Sequence, residues 1–106
     1  MKTFAEFWPF YLREHARPAT RALHFAGTTL SLLLILCAAA LRRPWLLLGG
    51  AVCGYAFAWV GHFFVEHNKP ATFKYPLWSL AADWKMWTLA LRGRLEPELR
   101  RAGVPR

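Results

Sequence analysis

Acidic side chains are scarce in this chain. Six Asp and Glu stand against fourteen Lys and Arg, a formal net charge of +8 over 106 residues. Fixed charge is missing altogether from residues 44–65. There are two cysteines, Cys37 and Cys53, and both lie inside apolar runs. That excludes a disulfide framework and a paired-cysteine metal site, and leaves both as small packing residues. No secretory signal peptide is legible. Residues 1–23 contain Glu6, Glu14 and several Arg, with no uninterrupted apolar core and no small-residue cleavage site. A glycine-rich dinucleotide fingerprint is absent too.

What is present is apolar: 56% of residues are hydrophobic and 16% aromatic. In residues 24–41 the polar side chains are His24, Thr28, Thr29 and Ser31. A crossing helix needs roughly 20 mainly apolar residues, and both runs meet that need. The expectation is an all-α integral membrane protein, a single domain over residues 1–106 built on a helical hairpin. One span covers residues 22–41 and a second covers residues 44–66. Arg42, Arg43 and Pro44 make a turn so short that the second span must return antiparallel. Gly49, Gly50, Gly54 and Gly61, with Ala51, Ala56 and Ala58, allow close helix approach in lipid. The same small-residue face is compatible with a homo-oligomer.

The flanks are expected to be interfacial or packed helices. Residues 3–14 (TFAEFWPFYLRE) are aromatic-rich and interrupted by Pro9, which reads as an interfacial helix or a pair of turns. Residues 77–91 form a further helix, with Leu77, Leu80, Ala81, Trp84, Trp87 and Leu91 giving an apolar face. Asp83 and Lys85 argue against a simple span there. Residues 92–106 read as a basic tail. Lys and Arg flank the apolar runs instead of forming a separate surface, so the expected partner is a lipid bilayer and not nucleic acid. Charge around the termini exceeds the two Arg of the turn, which places both termini on the cytoplasmic side.

The histidines carry the chemistry. Counting from the turn, His24 is about 18 residues upstream and His62 about 19 downstream, less than one helical turn apart in depth. Antiparallel packing therefore brings them to one membrane level, at the end remote from the turn. His15 and Glu66 lie just beyond the same end. Glu66 follows His62 by four residues and shares its face on a regular helix. His67, five residues on, lies roughly 140° around and is held in reserve. Imidazoles with one carboxylate suit non-haem iron, manganese or zinc. A carboxylate near hydrocarbon needs a partner or a cation, and pairing of Glu66 with Lys69 or an Arg is the structural alternative.

The pattern His15-x2-Pro18-x-Thr20-x3-His24-x2-Gly27, with Gly61-His62-x3-Glu66-x3-Pro70-Ala71-Thr72, resembles a family of small bacterial membrane proteins. That family includes the fungal 2-hydroxy fatty acid dioxygenase of α-oxidation. Residues 73–80 (FKYPLWSL) resemble its bacterial branch. The fungal enzyme is longer, with additional helices between the two motifs, and has lysine at the position of His67. The resemblance implies an Fe(II)-dependent oxygenase in the bacterial inner membrane, acting on a fatty-acyl substrate with O₂. It carries over His15, His24, His62 and Glu66 as metal-site and catalytic residues. If substrate chelates the iron, one of the four orients a ligand instead of binding, with Glu66 or His15 the expected one. Arg17, Arg21 or Lys69 would hold the substrate carboxylate, against the plainer reading of snorkelling to lipid phosphate. Two other readings stay open: a non-enzymatic lipid-binding or membrane-organising protein, and a zinc-dependent hydrolase using the same cluster.

Overall fold

The structure, a computed structural model, describes residues 1–104, and among them it is helical without strands. Residues 105–106, the end of the expected basic tail, lie outside the described residues. Helix α1 is Phe4–Arg13, α2 is Pro18–Leu41, α3 is Trp45–Val60, α4 is Pro76–Leu91 and α5 is Leu95–Arg101. Helix α3 does not stop at Val60. It runs on through a wider π-helical turn, Gly61–Glu66, and a short 3₁₀ turn at Ala71–Phe73 then leads to α4.

Helix α2 begins four residues before the expected position 22, at Pro18. Proline in the first turn has the helical φ preset and lacks only an N–H that would be orphaned anyway. The helix ends at Arg42, whose left-handed backbone (φ 53°) turns its N–H back onto the Ala38 and Ala39 carbonyls. Both Pro18–Leu41 and Trp45–Glu66 are long and apolar enough to cross a membrane. Their outward surface is strongly apolar: Leu48 is 69% exposed and Phe64 74%.

The hairpin is held by close backbone approach. A Cβ added at Gly27 would stand 2.6 Å from Phe57 Cβ. One at Gly61 would stand 3.0 Å from Thr20 Cγ2, and one at Gly50 3.2 Å from the Ser31 carbonyl. In lipid, helices gain no hydrophobic energy by meeting, so close packing has to supply the association.

The flanking elements build a second core against one end of the hairpin. Helix α1 is continuous through Pro9, capped by Thr3 Oγ1 accepting the Glu6 N–H at 3.2 Å. It is not a pair of turns. One face, Phe7, Trp8, Tyr11 and Leu12, is buried against Ala82 and Met86 of α4. The expected apolar face of α4 is split: Trp84 lines the cavity and Trp87 packs on α2, its Nε1–H donating to Thr29 Oγ1 at 2.9 Å, while the leucines stay largely exposed. Leu77 is 79% exposed, Leu80 48% and Leu91 62%, while Ser79, Ala82 and Met86 are buried. Large aliphatic side chains left outside, with small and polar ones inside, is the arrangement of a helix packed among apolar surroundings. The two charges that argued against a simple span are both engaged. Lys85 sits 4.4 Å over the Trp8 ring, and Asp83 accepts a hydrogen bond from Tyr11. The basic stretch after residue 91 is not a free tail either. It folds into α5, and Ala102 and Val104 join the α1–α4 core.

Replacing Gly27 with Ala is expected to destabilise the hairpin by about 1–3 kcal/mol, the usual effect of overpacking. A methyl at Gly49 meets only Leu34 Cδ1 at 3.8 Å, so Gly49→Ala should be neutral or slightly stabilising. Thermal unfolding of the two variants in detergent, followed by circular dichroism, measures the contrast.

Candidate functional site

Three imidazoles from three separate segments meet where the hairpin abuts the α1–α4 layer. His15 comes from the loop after α1, His24 from the second turn of α2 and His62 from the π-helical turn. Their exposures are 1%, 6% and 3%. The His15 ring lies 4.5 Å from that of His62 and 5.0 Å from that of His24, centroid to centroid. The depth match read from the turn is therefore present in the fold.

The partners decide which nitrogens are free. His15 Nδ1–H donates to the Tyr11 carbonyl at 2.8 Å, which leaves Nε2 bare. Asn68 Nδ2 donates to the Glu14 carbonyl at 3.1 Å, so its Oδ1 faces His62 and accepts the Nδ1–H at 2.8 Å. His62 Nε2 is then bare as well. His24 is held from the opposite side: Nε2–H donates to Asp83 Oδ1 at 2.7 Å. Tyr11 Oη lies 2.9 Å from the same nitrogen and donates to Asp83 at 2.5 Å. His24 Nδ1 is buried and has no hydrogen-bond partner. An imidazole whose second nitrogen is fixed by a carbonyl, amide or carboxylate is the state in which histidine binds a metal. All three rings are in that state. Among the described residues, however, no three His, Cys, Asp or Glu side chains are arranged closely enough to hold an ion as they stand.

Glu66 is placed differently from the four-residue spacing. Its Oε2 accepts the Arg17 N–H at 2.6 Å and the Thr20 hydroxyl at 2.5 Å, at the start of α2. Arg17 itself provides no side-chain cap to that helix, so Glu66 supplies the acceptor from across the fold. The reason is the π-helical winding of Gly61–Glu66, in which hydrogen bonds run to the fifth residue and each residue turns less than in an α-helix. Glu66 thereby rotates away from the position that regular spacing from His62 predicts. The carboxylate on the cluster is Asp83. His67 is exposed and left-handed (φ 60°), ending the helix, with Asn68 N–H returning to the His62 carbonyl at 2.9 Å.

The three residues expected to hold a carboxylate are also elsewhere. Arg21 donates to the His15 and Ala16 carbonyls at 2.8 and 2.9 Å. Arg17 and Lys69 are exposed, and none of the three lines the cavity at the cluster. Sequence reasoning missed Tyr11, Asn68 and Asp83. Asp83 carried the one available signal, an acid on an otherwise apolar helix, which in such surroundings demands a partner.

The histidines open onto a cavity of about 390 Å³. His15, His24, His62, Tyr11, Asp83 and Ser79 form its polar end. Its walls then run down the hairpin through Thr28 and Ser31 to Ile35 on α2, and through Ala58 and Gly54 to Leu47 on α3. A polar head and an apolar trough thus belong to one continuous space.

The family described as 2-hydroxy-palmitic acid dioxygenase Mpo1-like matches residues 1–95. No curated protein and no solved structure matches the chain.

Burial, reinforced by the neighbouring His24 and His62, pushes the His15 imidazole well below its ordinary 6.5. The folded protein then refuses a proton that the unfolded chain accepts. Stability is expected to be level above about pH 6.5 and to fall progressively as the pH drops below it. Chemical denaturation at a series of pH values checks this. His15→Gln should flatten the acid limb.

Proposed function

Because the chain belongs to the Mpo1-like family over residues 1–95, we propose that it is a membrane-embedded, iron-dependent dioxygenase that shortens 2-hydroxy fatty acids by one carbon. The observation that carries the reading is the trio of buried imidazoles with bare nitrogens at the head of an apolar trough. The hairpin crosses the inner membrane, with the histidine end at the cytoplasmic face, where excess Lys and Arg lie near the termini.

The reaction balances without a further reductant. A 2-hydroxy acid and O₂ give the acid one carbon shorter, CO₂ and water, and the substrate provides all the electrons. Three imidazoles are a donor chemistry suited to Fe(II), and His15, His24 and His62 would hold it once their nitrogens draw closer than they stand. When bound, the iron supplies open coordination positions for O₂ and substrate. This chain's residues do the rest. Asp83 takes hydrogen bonds from both His24 and Tyr11, which fixes the ring and leaves Nδ1 as the nitrogen without a partner. Burial and the Asp83 carboxylate push the Tyr11 phenol well above its ordinary 10.0. Tyr11 therefore keeps its proton and remains a donor to Asp83. Asn68 ties His62 to the end of α1. Ser79 lines the same cavity, with its Oγ buried and without a partner. The trough takes the tail. Glu66 acts on the fold here, by anchoring the start of α2, and not as a ligand.

Purified protein should carry iron close to one equivalent and consume oxygen when given 2-hydroxypalmitate. His62→Ala should abolish both, and retention of both would remove the site assignment. Zinc in place of iron would favour hydrolysis, and absence of any metal would favour a lipid-binding protein. Asp83→Asn should keep the fold but weaken metal binding by about 10–100-fold, the usual effect of losing the group that orients a ligand. Metal titration followed by mass spectrometry reads that loss apart from turnover.

A further inference from the structure

The trough has a floor. From His24 to Ile35 is eleven residues, roughly 16 Å along α2 at 1.5 Å per residue. The wall on α3, from His62 to Leu47, is roughly 22 Å by the same measure. One leaflet's share of the hydrocarbon core is roughly 15 Å, half of about 30 Å. The trough therefore has the depth of a membrane lipid's acyl chain. Between head and floor, α3 lines the cavity with the small residues Ala58, Gly54, Ala51 and Gly50, flanked by Tyr55 and Trp59. At the head, two of the residues that line the cavity each carry a polar atom buried without a partner: His24 Nδ1, in a side chain 6% exposed, and Ser79 Oγ, in one 2% exposed. An unsatisfied buried polar atom is costly, and a ligand with a polar head satisfies it. The trough is built for a molecule with both ends.

We propose that Ile35 and Leu47 are the residues that set acyl-chain length, with Ala51 keeping the lower trough open to long chains. The inference rests on the fatty-acid reading above. Its physical basis is that a tail already dissolved in lipid gains no hydrophobic energy by entering an apolar trough. Attraction therefore discriminates weakly between chain lengths, and steric limits do the discriminating. A side chain added part-way down rejects tails that reach it. A side chain removed from the floor admits longer ones. Ala51 is exposed, Ile35 is 36% exposed and Leu47 51%; none of the three is among the atoms packed closest at Gly27 and Gly61, while Ile35 Cγ1 lies 3.5 Å from where a Cβ at Gly50 would stand.

The test uses full-length protein in lipid nanodiscs with a mixture of saturated 2-hydroxy acids of graded chain length, and product ratios are read by mass spectrometry. Ala51→Leu is expected to shift the ratio toward short acids by roughly tenfold or more, the effect of an overpacking clash converted to a rate ratio. The double variant Ile35→Ala/Leu47→Ala is expected to shift it toward longer acids. A photoactivatable fatty acid with a diazirine at the chain end, applied to wild type, should crosslink to the peptides holding Ile35 and Leu47. Unchanged ratios in both variants, or crosslinks scattered over the outer faces of the hairpin, would overturn the inference and leave the oxygenase reading standing. Floor crosslinks in a wild type that turns over no acid would do the reverse: the trough assignment holds and the oxygenase reading fails.

Discussion

The contact between Gly27 and Phe57 is the constraint on which the site depends. With no Cβ at Gly27, α3 settles against α2 at a distance that any side chain would prevent. Gly61 against Thr20 repeats the arrangement at the histidine end. These contacts hold one helix at a fixed height and rotation relative to the other. The height is what sets His24 level with His62, although 38 residues of chain separate them. A hairpin splayed by one methyl would still be helical and still be apolar. It would no longer bring the two rings around His15.

The polar groups at this end follow from the same closeness. Helices packed in apolar surroundings offer no water to a buried donor or acceptor, so each must find a partner in the chain. Most do. Tyr11, His24 and Asp83 share hydrogen bonds across α1, α2 and α4, and Asn68 bridges His62 to the Glu14 carbonyl. Within the cavity, His24 Nδ1 and Ser79 Oγ are the buried exceptions among the described residues. A network that satisfies so many groups and leaves these two, in residues that line the same cavity as His15 and His62, is the feature on which the binding-site reading rests.

Periodicity and charge made the hairpin legible: two apolar runs, an Arg-Arg-Pro turn, and histidines equidistant from it. The motif resemblance named the same histidines. Two things were hidden. The first is the inward face of α4. Hydrophobic spacing selects the largest apolar side chains as core, and Trp84 and Trp87 do meet the hairpin, yet Leu77 and Leu91 are exposed while Ser79, Ala82 and Met86 are buried. A rule that counts only large apolar residues passes over the small and polar ones that pack between helices in apolar surroundings. It hid Asp83 and Ser79. The second is the π-helical turn at Gly61–Glu66, which no spacing argument anticipates because it changes the spacing itself.

That turn also explains how Glu66 can matter without touching the cluster. The start of α2 leaves N–H groups without intrahelical acceptors and concentrates positive dipole there. Arg17 cannot cap it, and Glu66, carried round by the wide turn, does. The bond ties the beginning of α2 to the end of α3, so the hairpin is closed at both ends: by the turn at Arg42 and by this carboxylate. The loop between α1 and α2 is caught in the same clamp. His15 is two residues from Arg17, and Arg21 of the same first turn holds the His15 carbonyl. A carboxylate in the motif therefore fixes the positions of all three imidazoles through the backbone, while a different carboxylate, Asp83, fixes the orientation of one of them.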